Sequence, residues 1–266
     1  MRGGGPAGPS PAIIPRPLKV LLVAALLREV RPFLRRVKAQ PREGQGAPTW
    51  EFAVGGEAAA LVLSGMGPAK AFRVASAALG RYGPQALISL GFGGALTLEV
   101  APGDVVLGET VWQYDPESGG LAAAAAPEPP RPLPELLSLL HNAGLPALAG
   151  SLVSTPAIIR KATQGGPLKE LPRPVLDLES ASLAELAAAR GLAFLGLRAV
   201  TDGAGEEIPE FFREACLAGK EPGPGAAFSW AARDPGRLLV LLRLWSRSRA
   251  ASHRLDRALE VLLPTL

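Results

Sequence analysis

Apolar and polar positions along this chain switch between two periods, and the switches divide it into short elements. Residues 18–26, LKVLLVAAL, are apolar almost throughout, the pattern of a strand covered on both faces, and Leu27, Val30, Leu34 and Val37 then recur at helical spacing. Residues 58–63 form a second apolar run, the SGMG of residues 64–67 turns the chain, and Pro68 opens a helix over residues 69–80, where its missing amide hydrogen is no loss. A third run, ALISLGFGG, ends in Gly91, Gly93 and Gly94. Residues 104–107 predict a short strand. Residues 112–131, rich in Pro, Ala and Gly, predict a long surface loop of the kind that covers a site. A helix over 134–142, a strand over 148–155 and a turn-rich connector over 164–174 follow. A helix then runs from near Glu179 to a glycine stop at Gly191, and a buried strand leads into Thr201, Asp202 and Gly203. Residues 233–263 predict helix with a break near Ser246. No repeat of fixed period occurs. The sum predicts an α/β protein, a single domain with a central mixed sheet flanked by helices. Residues 1–17 read as a flexible tail, 18–230 as the main α/β domain, and 231–266 as a basic helical segment packed on it or extending it.

Composition narrows this picture. With 31 Gly and 27 Pro in 266 residues, turns are too dense for a bundle of long helices. One cysteine, Cys216, allows neither an intrachain disulfide nor a thiolate metal cage, which fits a reducing compartment, and the opening lacks the apolar core of a signal peptide; the expected location is cytoplasmic. The longest apolar runs fall short of the roughly 20 residues that cross a bilayer. The net charge of +4 resides entirely in residues 231–266, where seven Arg face Asp234, Asp256 and Glu260, so the remainder is balanced and no nucleic-acid partner is expected. Leu238, Leu239, Leu241, Leu242 and Trp245 share that segment with Arg243, Arg247, Arg249 and Arg254; helix packing and peripheral membrane contact both stay open.

In α/β sheets ligands lie beyond the carboxyl ends of strands. Glu29, residues 64–67, residues 91–94, and Glu179 with Asp202 stand at such ends. The glycine stretches either cradle a ligand with backbone amides or turn the chain tightly. Neither is a GxGxxG fingerprint and no GxxxxGK[ST] loop occurs, which removes most kinase, ATPase and dinucleotide readings. Asp202 sits at the mouth of a buried strand, where low dielectric favours its protonated form and so a general acid; a capping Asp is the alternative. Glu179 opens a helix whose dipole would stabilise its ionised form, as for any first-turn Glu. Glu29 could equally be an exposed helix residue. His141 and His253 lack a second histidine at ligand spacing, so no metal is expected, and Cys216 reads as a packing residue.

The stretches LLVAALLREV, VLSGMGPAKA, ALISLGFGGALTLEVAPGDVV and VLDLESASLAELAAARGLAFLGLRAVTDGAG resemble the purine nucleoside phosphorylase and 5′-methylthioadenosine/S-adenosylhomocysteine nucleosidase superfamily, in its order and spacing over residues 18–215. DLES with RAVTD is the specific part. The C-terminal WAARDPGRLLVLLRLWSRSRAASHRL is similar to the hopanoid-associated phosphorylases, which act on adenosylhopane. The resemblance implies cleavage of an N-ribosidic bond in an adenine nucleoside, without cofactor or metal, by a homodimer or larger homo-oligomer. It puts Asp202 at N7 of the leaving purine, and adenine is implied because this residue is Asp, not Asn. Glu179 falls at the ribose hydroxyls, with Leu178 where a methionine is common. Glu29 falls where nucleosidases activate water and classical phosphorylases carry an arginine; Arg28 beside it keeps phosphate open as a co-substrate. Gly67, Phe92 and Gly93 fall at the substrate, with Phe92 replacing a small hydroxyl residue, and Ile158 and Ile159 fall where an aromatic commonly stacks on the base. Trp112 and Tyr114 fall at the 5′ side of the pocket, in an oligomer contact, or in plain surface packing. A noncatalytic nucleoside-binding protein and, more remotely, a dinucleotide-dependent oxidoreductase are the competing classes.

Overall fold

The computed structural model describes residues 18–42, 46–218, 223–232 and 234–266; the expected tail, residues 1–17, lies outside them. The first half of the chain runs β1 (Val20–Ala24), α1 (Leu27–Arg36), β2 (Gln40–Arg42), β3 (Thr49–Val54), β4 (Glu57–Leu63), α2 (Pro68–Tyr82), β5 (Ala86–Ala95), β6 (Val105–Asp115), β7 (Gly120–Ala123) and α3 (Leu133–Asn142). The second half runs β8 (Ala147–Ser154), α4 (Lys161–Gln164), β9 (Val175–Asp177), α5 (Ser180–Ala189), β10 (Ala193–Asp202), α6 (Glu210–Leu217), α7 (Pro224–Ala231) and α8 (Pro235–Leu262).

All the strands belong to one mixed sheet, ordered β10-β6-β8-β9-β5-β1-β4-β3-β2 with β7 on β6. Because β10 also pairs with β5, the strands β5, β10, β6, β8 and β9 close into a ring, and β1, β4, β3 and β2 continue from β5 as an open wing. Strand β1 lies parallel between β4 and β5 and is buried along its whole length, as an apolar run without alternation requires. One face of the sheet is covered by α1, α3 and α8, whose Phe33, Leu34, Leu136, Leu140, Leu255 and Leu259 join a core with Leu22, Leu61 and Ile88. The other carries α2 and α5, which pack closely through Ala71, Ala75, Ala184 and Ala187. This is the helix-flanked mixed α/β sheet that the sequence predicts.

Several local expectations need correction. The predicted short strand at 104–107 extends to Asp115 and pairs with β7, so the first part of the expected surface loop is a hairpin. Its composition reads as loop because Ala and Gly carry little strand preference; pairing against β6 settles it. Strands β2 and β3 and helices α6 and α7 were not legible in the periodicity. Helix α8 runs without a break at Ser246, since after Gly236 it contains neither Gly nor Pro to interrupt it. Its later residues Ala251, Leu255, Ala258, Leu259 and Leu262 enter the core, and Asp256 pairs with Arg36 of α1 at 2.7 Å. Its earlier residues Leu238, Leu239, Leu242 and Trp245 are exposed. Among the described residues no helix is long and apolar enough to cross a membrane.

Candidate active site

Helix α1 begins three residues after β1 ends, and this places Glu29 at its third position. One carboxylate oxygen, Oε2, accepts the Leu26 amide at 2.8 Å; Oε1 accepts the Phe92 amide of β5 at 3.1 Å. Glu29 is thus buried, not the exposed helix residue that was the alternative. Burial pushes its carboxyl up from the ordinary value, opposed by these two amides and by the charges of Arg198 and Arg28.

Residues 91–94 are not a turn but part of β5, with Phe92, Gly93 and Gly94 on the cavity, and the glycines leave space for neighbouring carboxylates. A Cβ on Gly91 would stand 3.0 Å from Glu29 Oε1, and one on Gly94 would stand 2.6 Å from Asp202 Oδ2. The SGMG turn likewise serves the protein's own carboxylate. Gly67, at φ +100, donates its amide to Glu179 Oε1 at 2.8 Å.

Glu179 is the residue before α5, not in its first turn, and the helix amides are satisfied by another acid. Asp177 Oδ1 accepts the amides of Glu179 and Ser180, both at 3.1 Å, and the Ser154 hydroxyl. Oδ2 of Asp177 takes Arg198 Nε at 3.0 Å, while the same guanidinium reaches Ser89 Oγ at 2.8 Å, Ser180 Oγ at 2.9 Å and the Leu197 carbonyl. Arg198 is only 1% exposed, yet its charge is paired and its donors are engaged. The helix dipole therefore does not set the state of Glu179. Desolvation first, and then the neighbouring Asp177, push its carboxyl up to about 8, against the pull of Arg198 and the Gly67 amide.

At the end of β10 the register against β5 shifts between Val200 and Asp202, a bulge that turns the Asp202 side chain toward the site. Low dielectric alone does not describe its surroundings. Lys161, itself buried at 4% exposure, places Nζ 2.5 Å from Asp202 Oδ2 and also donates to the Gly203 carbonyl at 2.8 Å. Thr201 Oγ1 lies 2.7 Å from Oδ1. Sequence reasoning missed Lys161, because nothing in IIRKAT distinguishes it from Arg160, which is exposed and pairs with Glu210.

Glu29, Glu179, Asp202 and Lys161 all line one cavity of about 180 Å³, together with Leu178, Phe92, Gly93, Ile158 and Ile159. Gly67 is not in the lining and bonds Glu179 through its amide. Met66 and Leu176 add apolar wall, Arg28 borders the cavity beside Glu29, and Ile208, Phe212, Leu244 and Ser248 bring in the α6 region and α8. Trp112 and Tyr114 are not in the lining. Trp112 donates to Thr110 at 3.0 Å and the buried Tyr114 donates to the Gln164 carbonyl at 3.0 Å. Cys216 is buried and burial pushes its thiol up, as for a packing residue; His141 bonds the Ala147 carbonyl at 2.7 Å. Among the described residues no group of three or more His, Cys, Asp or Glu is placed to hold a metal ion.

The fold is shared with known proteins. Residues 19–220 match the family model of the phosphorylase superfamily, and the chain belongs to that superfamily. Its fold is similar to that of the 5′-methylthioadenosine/S-adenosyl homocysteine nucleosidase of Campylobacter jejuni, at 18% identity and a TM-score of 0.66 over 92% of this chain and 100% of that one. The futalosine hydrolase of Helicobacter pylori strain 26695 is similar at 14% identity and a TM-score of 0.66, over 92% of this chain and 99% of that one. The corresponding nucleosidase of S. pneumoniae, solved with a transition-state inhibitor, is similar at 17% identity and a TM-score of 0.61, over 92% and 100% of the two chains. No curated protein matches the chain by sequence.

Proposed function

We propose that this protein is an enzyme that releases adenine from a 5′-substituted adenosine by breaking the bond between ribose C1′ and the base, with water as the nucleophile. The observation that carries the reading is the convergence of Glu29, Glu179 and Asp202, from three separate strand ends, on one cavity. Breaking this bond puts negative charge on the base and oxocarbenium character on the ribose. In the proposal Asp202 delivers a proton to the purine, Glu179 holds the ribose hydroxyls and, in its ionised form, offsets the developing positive charge, and Glu29 takes the proton of the attacking water. Two backbone amides hold Glu29 in place, which suits a base that must not move.

Phosphate in place of water is the second reading, and Arg28 at the rim beside Glu29 is the observation that favours it. A 5′ substituent that is apolar and large, as in adenosylhopane, is supported by the Ile208, Phe212 and Leu244 walls and by the resemblance of the C-terminal segment to the hopanoid-associated branch. The exposed apolar face of α8 supports peripheral contact with the membrane in which such a substrate would reside. Assembly as a homo-oligomer is proposed on the resemblance.

The test measures adenine release from 5′-methylthioadenosine and from a 5′-alkyl adenosine, with and without phosphate, and weighs the sugar product. Free ribose derivative is the expected product, and Asp202→Asn is expected to lower kcat by about 10³-fold while still melting cooperatively. Tight nucleoside binding with no base released by either nucleophile would overturn the reading in favour of a binding protein.

A further inference from the structure

Asp202 is placed at the leaving base, yet its Oδ2 already receives an N–H of Lys161 at 2.5 Å. The lysine sits at the first position of α4, with its backbone amide 3.2 Å from Glu207 Oε2, while the next amide, Ala162, is 2.8 Å from Oε1. Glu207 thereby fixes the start of this one-turn helix, and the lysine side chain runs inward to Asp202 and the Gly203 carbonyl. The backbone of β5 closes the other side, since a Cβ on Gly94 would stand 3.2 Å from Lys161 Nζ. Of the two neighbouring basic residues, only Lys161 is directed inward. A surface salt bridge is formed at little cost, but a buried ammonium is retained only where good geometry offsets its desolvation.

From this geometry we infer that Lys161 is the source of the proton that reaches the departing base, passing it through Asp202. The inference rests on the proposed base release and adds to it a residue that the sequence did not indicate. As C1′–N9 breaks and its electron pair goes to the purine, Asp202 gives a proton to the base and Oδ2 takes one from the Lys161 ammonium, leaving a neutral amine. Water bonds to C1′ and its proton goes to Glu29. Transfer from Glu29 to Lys161 through solvent, after product leaves, restores both groups, so protons balance over the cycle. A lysine serves here where an arginine would not, because a guanidinium keeps its proton under all protein conditions.

The test uses that difference. Lys161→Arg keeps a cation beside Asp202, and Lys161→Met removes it. Both are assayed on a 5′-alkylthioadenosine and on the matching 5′-alkylthio 4-nitrophenyl riboside, whose leaving group departs as a stable anion and needs no proton. Melting curves show which variants fold, and each folded variant carries the test by itself. On the adenosine substrate kcat is expected to fall by about 10²–10³-fold in both variants with KM within about threefold, while the nitrophenyl riboside is cleaved within about threefold of the wild-type rate. Equal losses on the two substrates, or an undiminished kcat for Lys161→Arg on the adenosine substrate, would overturn the inference. A wild-type protein that releases no adenine would instead overturn the functional reading beneath it.

Discussion

Glu179 and Glu29 are both carboxyls held above their ordinary range, and each is held there chiefly by loss of solvent. For Glu179 the consequence is testable through stability. In the unfolded chain it ionises near the ordinary 4.5, in the folded protein near 8, so between these values the native state binds the extra proton. Stability from this group is therefore present at acid pH and is lost as pH rises through 8. Glu179→Gln removes that loss. Its unfolding free energy is expected to match the wild type near pH 4.5 and exceed it at pH 8.5, by on the order of 2–4 kcal/mol once solvent screening at the cavity mouth is allowed for. Calorimetry across that window checks this; a difference independent of pH would contradict it. At this scale the sequence indicated Glu29, Glu179 and Asp202, because each is an acid that ends an apolar run. It did not indicate Lys161 or the Asp177–Arg198 pair. One charged residue inside GLRAV is a visible interruption, but which partner neutralises it depends on β9 lying beside β5, with β10 on the other side.

Among the elements, β5 shows most directly how a strand makes a site. Its glycines let two cavity-lining carboxylates, Glu29 and Asp202, approach the backbone, one on each side of Phe92. Gly94→Ala would place a methyl group 2.6 Å from Asp202 Oδ2 and 3.2 Å from Lys161 Nζ. The carboxylate and Lys161 would have to yield. Adenine release is expected to fall by about 10²-fold or more, while circular dichroism keeps its native shape, because a displacement of about 1 Å suffices to misalign a proton donor. Activity within a factor of two of wild type would show that the dyad has room to move. The buried strands β1, β5 and β10 were legible as apolar runs, and α1, α2, α3 and α5 as helical spacing. Strands β2 and β7 were not, since a short polar edge of the wing and an Ala-Gly segment carry little periodic signal until a partner strand fixes their register.

For the molecule as a whole, α8 joins the core to the surface. Its later half packs on α1 and β10, its middle reaches the cavity through Leu244 and Ser248, and its first half exposes leucines and Trp245 beside arginines. Removing the helix would remove core residues, so membrane contact is better tested by replacing Leu238, Leu239, Leu242 and Trp245 together with Ser. The wild type is expected to co-sediment with vesicles containing phosphatidylglycerol. The fourfold variant is expected to remain in the supernatant at unchanged melting temperature and with unchanged turnover of a water-soluble nucleoside. Equal sedimentation of the two proteins would place the contact elsewhere. What the sequence determined by itself is local in origin: which runs are buried, where strands end, and which acids stand at those ends, because hydrophobic period and chain direction need no partner. Closure of β10 onto β5 decided the rest. That pairing, with β9 on the other side of β5, brings Arg198 to Asp177, and it sets Asp202 where α4 delivers Lys161, since the state of a buried charge depends on neighbours distant in the chain.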